Sequence, residues 1–474
     1  MSHHLTPDLC VIGAGSGGLS VAAAAAQLGV EVVLIERSKM GGDCLNTGCV
    51  PSKALLAAAK RAQQMRAPNN FGIEPQDPSI DYQAVHDHVH RTIAAIAPND
   101  SVERFQALGV HVLLQDAHFK DRKTVQAGPY EVRARRTIIA TGSSPAIPPI
   151  DGLEGVNFFT NETIFENNRL MPHLIIIGAG PIGLEMAQAH RRLGSKVTVL
   201  EAMQALSKDD PELASLVVEK LRAEGIEIHE GVRVTEVSQN ISGVTLKVAS
   251  GNEEAELKGS HLLIATGRKP NIENLNLDQA GIKYNRQGIV VNKGLVTSNK
   301  KVFAIGDVAG GLQFTHMANY HAGIVIRRAL FRLPAKVNTD HVPWVTYTDP
   351  ELAHIGLNEV EAKKKYRQIH VLRWPYAEND RAQAEAKTTG LVKLITAKNG
   401  KVLGVSIVGE QAGELIQMWS YAIANNMNIK AMTAFISPYP TLSEMNKRIA
   451  YTYFQPKLAS PLLQKAIKFL SKFG

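Results

Sequence analysis

The sequence has 474 residues, which is too long for one ordinary hydrophobic core and indicates about two to four domains. Hydrophobic residues make up 45% of the chain and charged residues 20%, a soluble globular composition, and the net charge of +8 is scattered without the aromatic-rich basic stretches of nucleic-acid-binding proteins. Only three cysteines are present, which excludes a disulfide-rich secreted scaffold and favours a cytoplasmic location.

The first stretch of interest, residues 9–30, is uncharged and long enough to span a membrane. Its glycines instead divide it into a short apolar strand, a tight turn and an Ala-rich helix. Neither a basic leader nor a cleavage site is evident, so we reject a membrane span and a signal peptide. Cys10 lies inside the strand and is predicted to be part of the core.

The glycine turn and the strand after it predict a dinucleotide-binding βαβ unit. The glycines permit a tight bend and let the backbone approach a pyrophosphate at the start of the helix. A second apolar strand ends at Glu36, whose carboxylate can accept hydrogen bonds from ribose hydroxyls. The turn glycines are Gly13, Gly15, Gly17 and Gly18.

The other two cysteines, Cys44 and Cys49, lie in a Gly-rich stretch before a helix-forming run at residues 54–64. A structural disulfide this short would add little stability, and a structural zinc site would need further cysteine or histidine ligands at a suitable spacing. A redox pair is favoured, because the free amides and positive dipole end of a helix start stabilise a thiolate. Two unrelated thiols in a loop are the alternative.

Residues 41–53, GGDCLNTGCVPSK, resemble the redox-active disulfide signature of the class I pyridine nucleotide-disulfide oxidoreductases. This family includes dihydrolipoamide dehydrogenase, glutathione reductase and mercuric reductase. The resemblance extends over residues 9–454 and implies an α/β fold with two Rossmann-like dinucleotide-binding domains, for FAD and NAD, followed by a C-terminal α+β dimerisation domain. It therefore also implies a homodimer.

The resemblance implies a route for electrons from NADH through FAD to a Cys44–Cys49 disulfide. Cys49 would be the thiol nearest the flavin, and Cys44 would meet the outside substrate by thiolate attack. Gly42, in the same stretch, would belong to the FAD site. Lys53 would pair with Glu185 of the second fingerprint and tune the flavin. If exposed, these two residues would be ordinary helix charges.

Residues 82–108 predict one long helix that carries His86, His88 and His90. His86 and His90 share a helix face and are a possible metal pair. The sequence shows no third ligand, so a solvated helix face is favoured and no metal site is predicted.

Residues 110–141 predict a small antiparallel ribbon, followed by a proline-rich crossover to the next domain. The ribbon ends at Thr141 and Gly142, which resemble the family segment that returns to the flavin. An ordinary strand followed by a linker is the alternative.

A second strand, glycine turn, helix and acidic strand end occur 165 residues after the first and predict a second dinucleotide site. Its acidic residue, Glu201, would accept a hydrogen bond from a ribose 2′-hydroxyl and repel a 2′-phosphate. No arginine follows Glu201 directly, so the sequence favours NADH over NADPH. The predicted nicotinamide-site glycines are Gly178, Gly180, Gly183 and, in a second Ala-Thr-Gly segment, Gly267.

A later strand ends in Gly306 and Asp307, and the resemblance assigns Asp307 to the ribityl chain of FAD. A plain helix N-cap is the alternative for this aspartate. We predict an FAD-binding domain at residues 1–150 and 269–340, an NAD(P)H-binding domain at residues 151–268, a dimerisation domain at residues 341–455 and a separate tail at residues 456–474.

Residues 437–444 depart from the pattern of dihydrolipoamide dehydrogenase and glutathione reductase. Where those enzymes have an acid/base histidine, this chain has Tyr439, although the glutamate that follows is present as Glu444. A phenol ionises near pH 10 and is a poor proton relay at neutral pH. Lipoamide and glutathione are therefore disfavoured as acceptors. Packing at the dimer interface is the alternative role for Tyr439.

A tyrosine at this position resembles mercuric reductase, which hands its metal ion between thiolates. That enzyme also loads the metal through C-terminal cysteines, and this chain has no cysteine after Cys49. The acceptor is thus predicted only as a thiol, a disulfide or a metal ion. The alternatives are direct reduction of quinones, dyes or oxygen by the flavin, or a non-catalytic redox-sensing subunit.

The tail, residues 456–474, predicts a short helix that begins at Ser460 and Pro461. Its apolar residues share one face and its lysines lie mostly off that face. Such a helix either packs back onto the dimer or lies on an anionic membrane surface or a partner protein. The second option would place the protein peripherally at the inner membrane face.

Overall fold

The computed structural model describes residues 3–67 and 71–473. The strands of the first part are β1 (His3–Leu5), β2 (Leu9–Ile12), β3 (Val32–Glu36), β4 (His111–Leu114), β5 (Ala117–Phe119), β6 (Val125–Ala127), β7 (Tyr130–Val132), β8 (Arg136–Ile139) and β9 (Ser143–Pro145). Its helices are α1 (Ser16–Gln27), α2 (Gly42–Asn46), α3 (Cys49–Arg66), α4 (Tyr82–Ile96) and α5 (Val102–Ala107).

The second part contains β10 (His173–Ile177), β11 (Lys196–Glu201), β12 (Glu227–Glu230), β13 (Arg233–Asn240), β14 (Gly243–Ser250), β15 (Glu253–Gly259), β16 (His261–Ile264), α6 (Pro181–Arg192) and α7 (Pro211–Ala223). The chain then forms β17 (Arg268–Pro270), β18 (Tyr284–Asn285), β19 (Gly288–Ile289), β20 (Val302–Ala304) and α8 (Thr315–Ala329).

The last part contains β21 (Pro343–Thr346), β22 (Glu351–Gly356), β23 (Ile369–Pro375), β24 (Leu391–Ala397) and β25 (Val402–Gly409). Its helices are α9 (Glu359–Lys365), α10 (Asp380–Ala384), α11 (Ala412–Ala424), α12 (Ala431–Ala434), α13 (Glu444–Thr452), α14 (Gln455–Leu458) and α15 (Pro461–Leu470).

The first part is organised around a five-stranded parallel sheet with the order β20-β8-β2-β3-β4. Successive residues of β2 point to opposite faces, as a strand requires. Leu9 and Val11 pack in a core with α1 and α8, while Cys10 and Ile12 pack against a four-stranded sheet with the order β1-β7-β6-β5. Burial on both faces explains why β2 is continuously apolar.

The predicted antiparallel ribbon is smaller than expected. Only β5, β6 and β7 form it, and the flanking strands β4 and β8 belong to the parallel sheet. The prediction was wrong at the two ends of residues 110–141, where β4 and β8 are short strands with buried apolar residues. The pattern of apolar and polar residues does not distinguish such strands from the strands of a hairpin.

The predicted long helix at residues 82–108 was wrong. The chain forms α4, a 3-10 turn at Ala97–Asp100 and then α5. Pro98 lacks the amide that would continue the helix, and the hydroxyl of Ser101 accepts a hydrogen bond from the amide of Arg104 and so begins α5.

The second part repeats the parallel design, with the order β12-β11-β10-β16 beside an antiparallel sheet of β13, β14 and β15. Strands β9 and β17, which precede and follow the second part in the chain, pair with each other. The last part is a five-stranded antiparallel sheet with the order β21-β22-β25-β24-β23, against which α11 and α13 pack. Among the described residues, no helix is both long and apolar enough to cross a bilayer.

Candidate active site

The two glycine turns have the same close backbone packing. A side chain at Gly18 would overlap the carbonyl oxygen of Gly13, and a side chain at Gly183 would overlap that of Gly178. Gly13 and Gly178 have φ angles of +104° and +109°, and each lies against the alanine carbonyl of an Ala-Thr-Gly segment. Only glycine tolerates both the angle and the contact, so each turn can bring its backbone close to a ligand.

The acidic residues at the two strand ends are also held alike. The Glu36 carboxylate accepts hydrogen bonds from the amides of Ala14, at 2.6 Å, and Ser38, at 2.8 Å. The Glu201 carboxylate accepts hydrogen bonds from the amides of Ala179, at 2.8 Å, and Met203, at 2.9 Å. Each carboxylate is therefore fixed in place, with a lone pair on each oxygen left for a ribose hydroxyl.

The remaining predicted cofactor residues border these turns. Gly15 and Gly180 are the N-caps of α1 and α6. A Cβ on Gly42 would lie 2.7 Å from the Cα of Gly15. A Cβ on Gly17 would lie 3.2 Å from a side chain of α8. The others are Gly142 and Gly267, with φ angles of +69° and +129°, and Thr141, whose hydroxyl donates to the carbonyl of Asn271 at 2.7 Å.

The structure brings Cys44 and Cys49 together as free thiols within hydrogen-bonding reach of each other. Cys44 lies in α2, and Cys49 is the first residue of α3, five residues earlier than the sequence indicated for that helix. Cys49 is exposed, and its Sγ lies 3.4 Å from the hydroxyl of Thr315. A thiol at this position lies at the positive end of the α3 dipole, which stabilises its thiolate form.

The two thiols differ in acidity. The hydrogen bond from Cys44 lowers the pKa of Cys49 to about 6. The Thr315 hydroxyl and the Lys53 charge act in the same direction, and together these effects outweigh the partial desolvation of the accessible thiol by its neighbours. The same hydrogen bond, together with burial, raises the pKa of Cys44. In the dithiol form at neutral pH, Cys49 is therefore the thiolate and Cys44 keeps the proton.

Lys53 and Glu185 meet across two parts of the chain. The Lys53 ammonium donates to Glu185 Oε2 at 2.9 Å, and Glu185 Oε1 accepts the amide of Tyr347 at 2.9 Å. The Glu185 side chain is 5% exposed, and the Lys53 ammonium also lies 4.4 Å from the centre of the Tyr347 ring. Tyr347, which the sequence did not indicate, thus completes the surroundings of this pair.

Asp307 belongs to a network that the sequence did not predict. Ser143 donates to the Asp307 carboxylate at 2.5 Å, and Arg268 donates to the Ser143 hydroxyl at 2.8 Å. Arg268 also forms an ion pair with Asp43, next to Cys44, at 3.2 Å. Burial raises the pKa of Asp307 in spite of Ser143 and Arg268. Arg268 follows the Ala-Thr-Gly repeat directly, which is the only signal that could have identified it.

The structure does not bring Tyr439 and Glu444 to the two cysteines within one chain. The Tyr439 side chain is 69% exposed, and its hydroxyl donates to Asp380 at 2.9 Å, which raises the pKa of the phenol. Glu444 begins α13 and accepts from Arg448 at 2.9 Å. A catalytic role for either residue stays a prediction.

Sequence families and solved structures match almost the whole chain. The profile "Pyridine nucleotide-disulphide oxidoreductase" matches residues 7–322, and the dimerisation domain of the same name matches residues 342–450. The chain belongs to the pyridine nucleotide-disulphide oxidoreductase family. The predicted family, fold class and enzyme class are thereby confirmed: the protein is an FAD-dependent oxidoreductase that uses a pyridine nucleotide, and its dimerisation domain supports a homodimer.

Individual relatives differ in substrate. The chain is 33% identical to a mercuric reductase of Staphylococcus aureus over 450 residues, which cover 94% of this chain and 82% of that one. It is 33% identical to a dihydrolipoyl dehydrogenase of Bacillus subtilis over 448 residues, 92% of this chain and 96% of that one.

Among solved structures, the Cu(II) complex of the HOCl-induced flavoprotein disulfide reductase RclA from Escherichia coli matches with a TM-score of 0.84 and 27% identity. The match covers 93% of this chain and 99% of that one.

Proposed function

We propose that the protein passes electrons from NADH, by way of FAD, to a Cys44–Cys49 disulfide, and from the resulting dithiol to a thiol-binding metal ion. The observation that carries this proposal is the pairing of two unlike thiols, Cys44 in α2 and Cys49 at the start of α3: the pKa of Cys49 is lowered to about 6 and that of Cys44 is raised. A soft metal ion binds thiolates and needs no imidazole relay to accept electrons from them.

The residues of the first glycine turn and its surroundings fit FAD. The turn lets the backbone reach a pyrophosphate, Glu36 has lone pairs for a ribose, and Asp307 is the second residue of the 3-10 turn at Gly306–Ala309. Gly42 packs so closely on Gly15 that a side chain there would fill the approach to the turn. Once bound, FAD supplies the transfer of a hydride equivalent between nicotinamide and the cysteine pair.

Glu201 supports NADH as the nucleotide. Two backbone amides hold its carboxylate, so the side chain cannot swing away to admit a 2′-phosphate. A phosphate at that position would meet a fixed negative charge, whereas a hydroxyl would donate to it. The next residues, Ala202 and Met203, offer no cation.

The chain's own residues account for proton placement in the thiol chemistry. Cys44 holds the proton of the dithiol and Cys49 holds the negative charge, which Thr315 and Lys53 stabilise. Binding of a metal ion by both sulfurs releases the Cys44 proton, because the thiolate is the ligand form. Because metal binding itself releases the Cys44 proton, this chemistry needs no acid/base group at residue 439, where the chain has a phenol.

The relatives support a metal ion as acceptor. Mercuric reductases are among the similar proteins, and RclA was solved as a Cu(II) complex. Dihydrolipoyl dehydrogenases are similar to the same degree, so a disulfide substrate is the competing proposal.

An acceptor panel with NADH distinguishes these proposals. Purified holoenzyme is supplied with Hg(II), Cu(II), lipoamide, glutathione disulfide or a quinone, and NADH oxidation is followed. We expect metal-dependent turnover that Cys44→Ser abolishes. Turnover that survives Cys44→Ser would show direct reduction by the flavin instead, and lipoamide turnover above that with either metal would support the disulfide substrate.

We also propose that the C-terminal helix α15 lies on an anionic membrane surface. Every residue of α15 is exposed, so its own chain does not cover the apolar face. Leu462, Ile467 and Phe469 lie on this helix, and residues 455–473 contain four lysines and no acidic residue. An apolar face beside uncompensated positive charge matches the chemistry of anionic lipids.

Co-sedimentation with phosphatidylglycerol vesicles tests the membrane proposal. The full chain should pellet with anionic vesicles and much less with neutral phosphatidylcholine vesicles, whereas a variant lacking residues 456–474 should stay in the supernatant. Equal pelleting of both proteins would reject the proposal and favour packing of α15 on the dimer.

A further inference from the structure

A group of metal-ligating side chains lies outside the site described above. His86 and His90, one turn apart on α4, have ring centres 4.1 Å apart. Glu166, the last residue of the 3-10 turn at Ile164–Glu166, supplies a third group. One ligand atom from each of the three residues lies within 4.8 Å of the other two. The sequence showed no third ligand, because Glu166 is 76 positions after His90.

We propose that His86, His90 and Glu166 bind a divalent transition-metal ion of the Zn²⁺ type. Two imidazoles and one carboxylate form a ligand set that suits zinc and its first-row neighbours. This site is independent of the proposed electron route through the cysteines.

The distances need only a small adjustment to accommodate an ion. Bonds of about 2.0–2.1 Å around a tetrahedral ion place neighbouring donor atoms roughly 3.3–3.5 Å apart. His90 Nε2 is already 3.7 Å from Glu166 Oε2, and the carboxylate is 65% exposed and free to rotate. The carbonyl oxygen of Phe165, 3.3 Å from the same nitrogen, is a further candidate ligand, and water can complete the coordination.

The surroundings hold the ligands in place. Asp87 Oδ1 lies 3.2 Å from Nδ1 of His86, and a proton held between them leaves the other ring nitrogen with its lone pair. Val89, Ile164 and Phe165 are buried in one apolar core, so the two segments that carry the ligands pack against each other. A site on packed segments keeps its geometry better than a site on loops.

An ion at this site would link two regions that the sequence predicts to be separate domains. Helix α4 lies within residues 1–150 and packs on α3, which carries Cys49, whereas Glu166 lies within residues 151–268. Metal binding therefore should stabilise the contact between these regions, and the stabilisation should rise with the concentration of free ion.

Zinc titration of the FAD-loaded protein tests the proposal. A Cys44→Ser/Cys49→Ser background removes the thiols as competing ligands, and isothermal titration calorimetry measures stoichiometry and affinity. We expect one Zn²⁺ per protomer, bound at least about tenfold more weakly in His86→Gln, His90→Gln or Glu166→Gln. The matched control is His88→Gln, which changes a histidine of the same helix off this face and should bind as the parent does.

Cu²⁺ provides a second probe in the same background. Its electron paramagnetic resonance spectrum should show nitrogen couplings from two imidazoles, and His86→Gln should remove one of them. The thermal midpoint of the parent should rise with added Zn²⁺, and that of Glu166→Gln should not. Glu166 is at the surface, so this variant should fold even if a histidine variant does not.

Absence of Zn²⁺ binding in the parent would overturn the proposal. So would an unchanged affinity in the His86→Gln/His90→Gln double variant, which would show that the ion binds elsewhere. An equal loss in His88→Gln would also reject it, because that result would indicate a general effect of helix histidines.

Discussion

Lys53 and Glu185 form a 2.9 Å ion pair that joins α3, the helix that begins at Cys49, to α6, the helix of the second glycine turn. The two residues are 132 positions apart in sequence. Lys53 also contributes to the lowered pKa of Cys49. One ammonium group therefore acts on the thiolate and on a buried carboxylate.

Removing the Lys53 charge should destabilise the protein through Glu185. Lys53→Met leaves a buried carboxylate with the Tyr347 amide as its remaining partner. We expect the free energy of unfolding to fall by about 1–2 kcal/mol, which is less than for a fully buried ion pair because the lysine is partly exposed. Urea unfolding measures the change. Lys363→Met, which breaks the exposed pair with Glu359, is the matched control and should cost less than about 0.5 kcal/mol. Equal costs would contradict this account.

Alkylation of the reduced protein should report the acidity of Cys49. Its rate with iodoacetamide should rise as pH increases through about 6, because the thiolate form is present above the pKa. Cys44→Ala removes the largest cause of the lowered pKa, so the profile should move to higher pH. Mass spectrometry identifies the modified residue. Cys10 is an internal control, since burial raises its pKa to about 12 and it should stay unmodified. A midpoint near the ordinary thiol value in the parent would refute the assignment.

A cation beside Glu201 should admit NADPH. Met203 is 70% exposed two positions after Glu201, and Met203→Arg adds a partner for a 2′-phosphate without removing a hydrogen bond of the backbone. We expect kcat/KM for NADPH to rise about tenfold, equivalent to about 1.4 kcal/mol, with kcat for NADH nearly unchanged. Steady-state kinetics with both nucleotides measures the ratio. A parent enzyme that already prefers NADPH would contradict the role proposed for Glu201.

A methyl group at Gly183 should disrupt the second glycine turn. It would overlap the carbonyl oxygen of Gly178, so Gly183→Ala should lower stability by about 1–3 kcal/mol and weaken NADH binding. Thermal unfolding and nucleotide titration measure the two effects. Gly155→Ala is the matched control, because no atom lies within 4 Å of the added Cβ and its effect should be within about 0.5 kcal/mol. Similar losses in both variants would disagree with the packing described.

Replacing Tyr439 should change the acceptor. Tyr439→His supplies a group that ionises near neutral pH, so lipoamide turnover should rise at least about tenfold while metal-ion turnover stays constant. Tyr439→Phe keeps the ring without the hydroxyl and should leave metal-ion turnover as it is. A large loss of metal-ion turnover in Tyr439→Phe would instead show that the phenol takes part in catalysis.

The features that the amino-acid sequence predicts correctly are those whose chemistry is local. Each glycine turn and the acidic strand end that follows it lie within a single βαβ unit. In both units the acidic carboxylate accepts hydrogen bonds from two backbone amides. The prediction of one helix at residues 82–108 was wrong. The helical periodicity of the sequence continues across Pro98, but the helical hydrogen bonding of the backbone does not. The sequence also did not indicate Arg268, because nothing near this residue in the sequence shows that Asp43 and Ser143 lie beside it.

The sequence by itself determined the family, the fold class, the two glycine turns with their acidic strand ends, and the proximity of Cys44 and Cys49 to a helix start. These features depend on residue types at short spacings, which obey local backbone geometry. Only the tertiary structure decided which distant side chains meet: Lys53 with Glu185, and Glu166 with the two histidines of α4. Such contacts arise when separately formed segments pack together, and spacing along the chain carries no record of that packing.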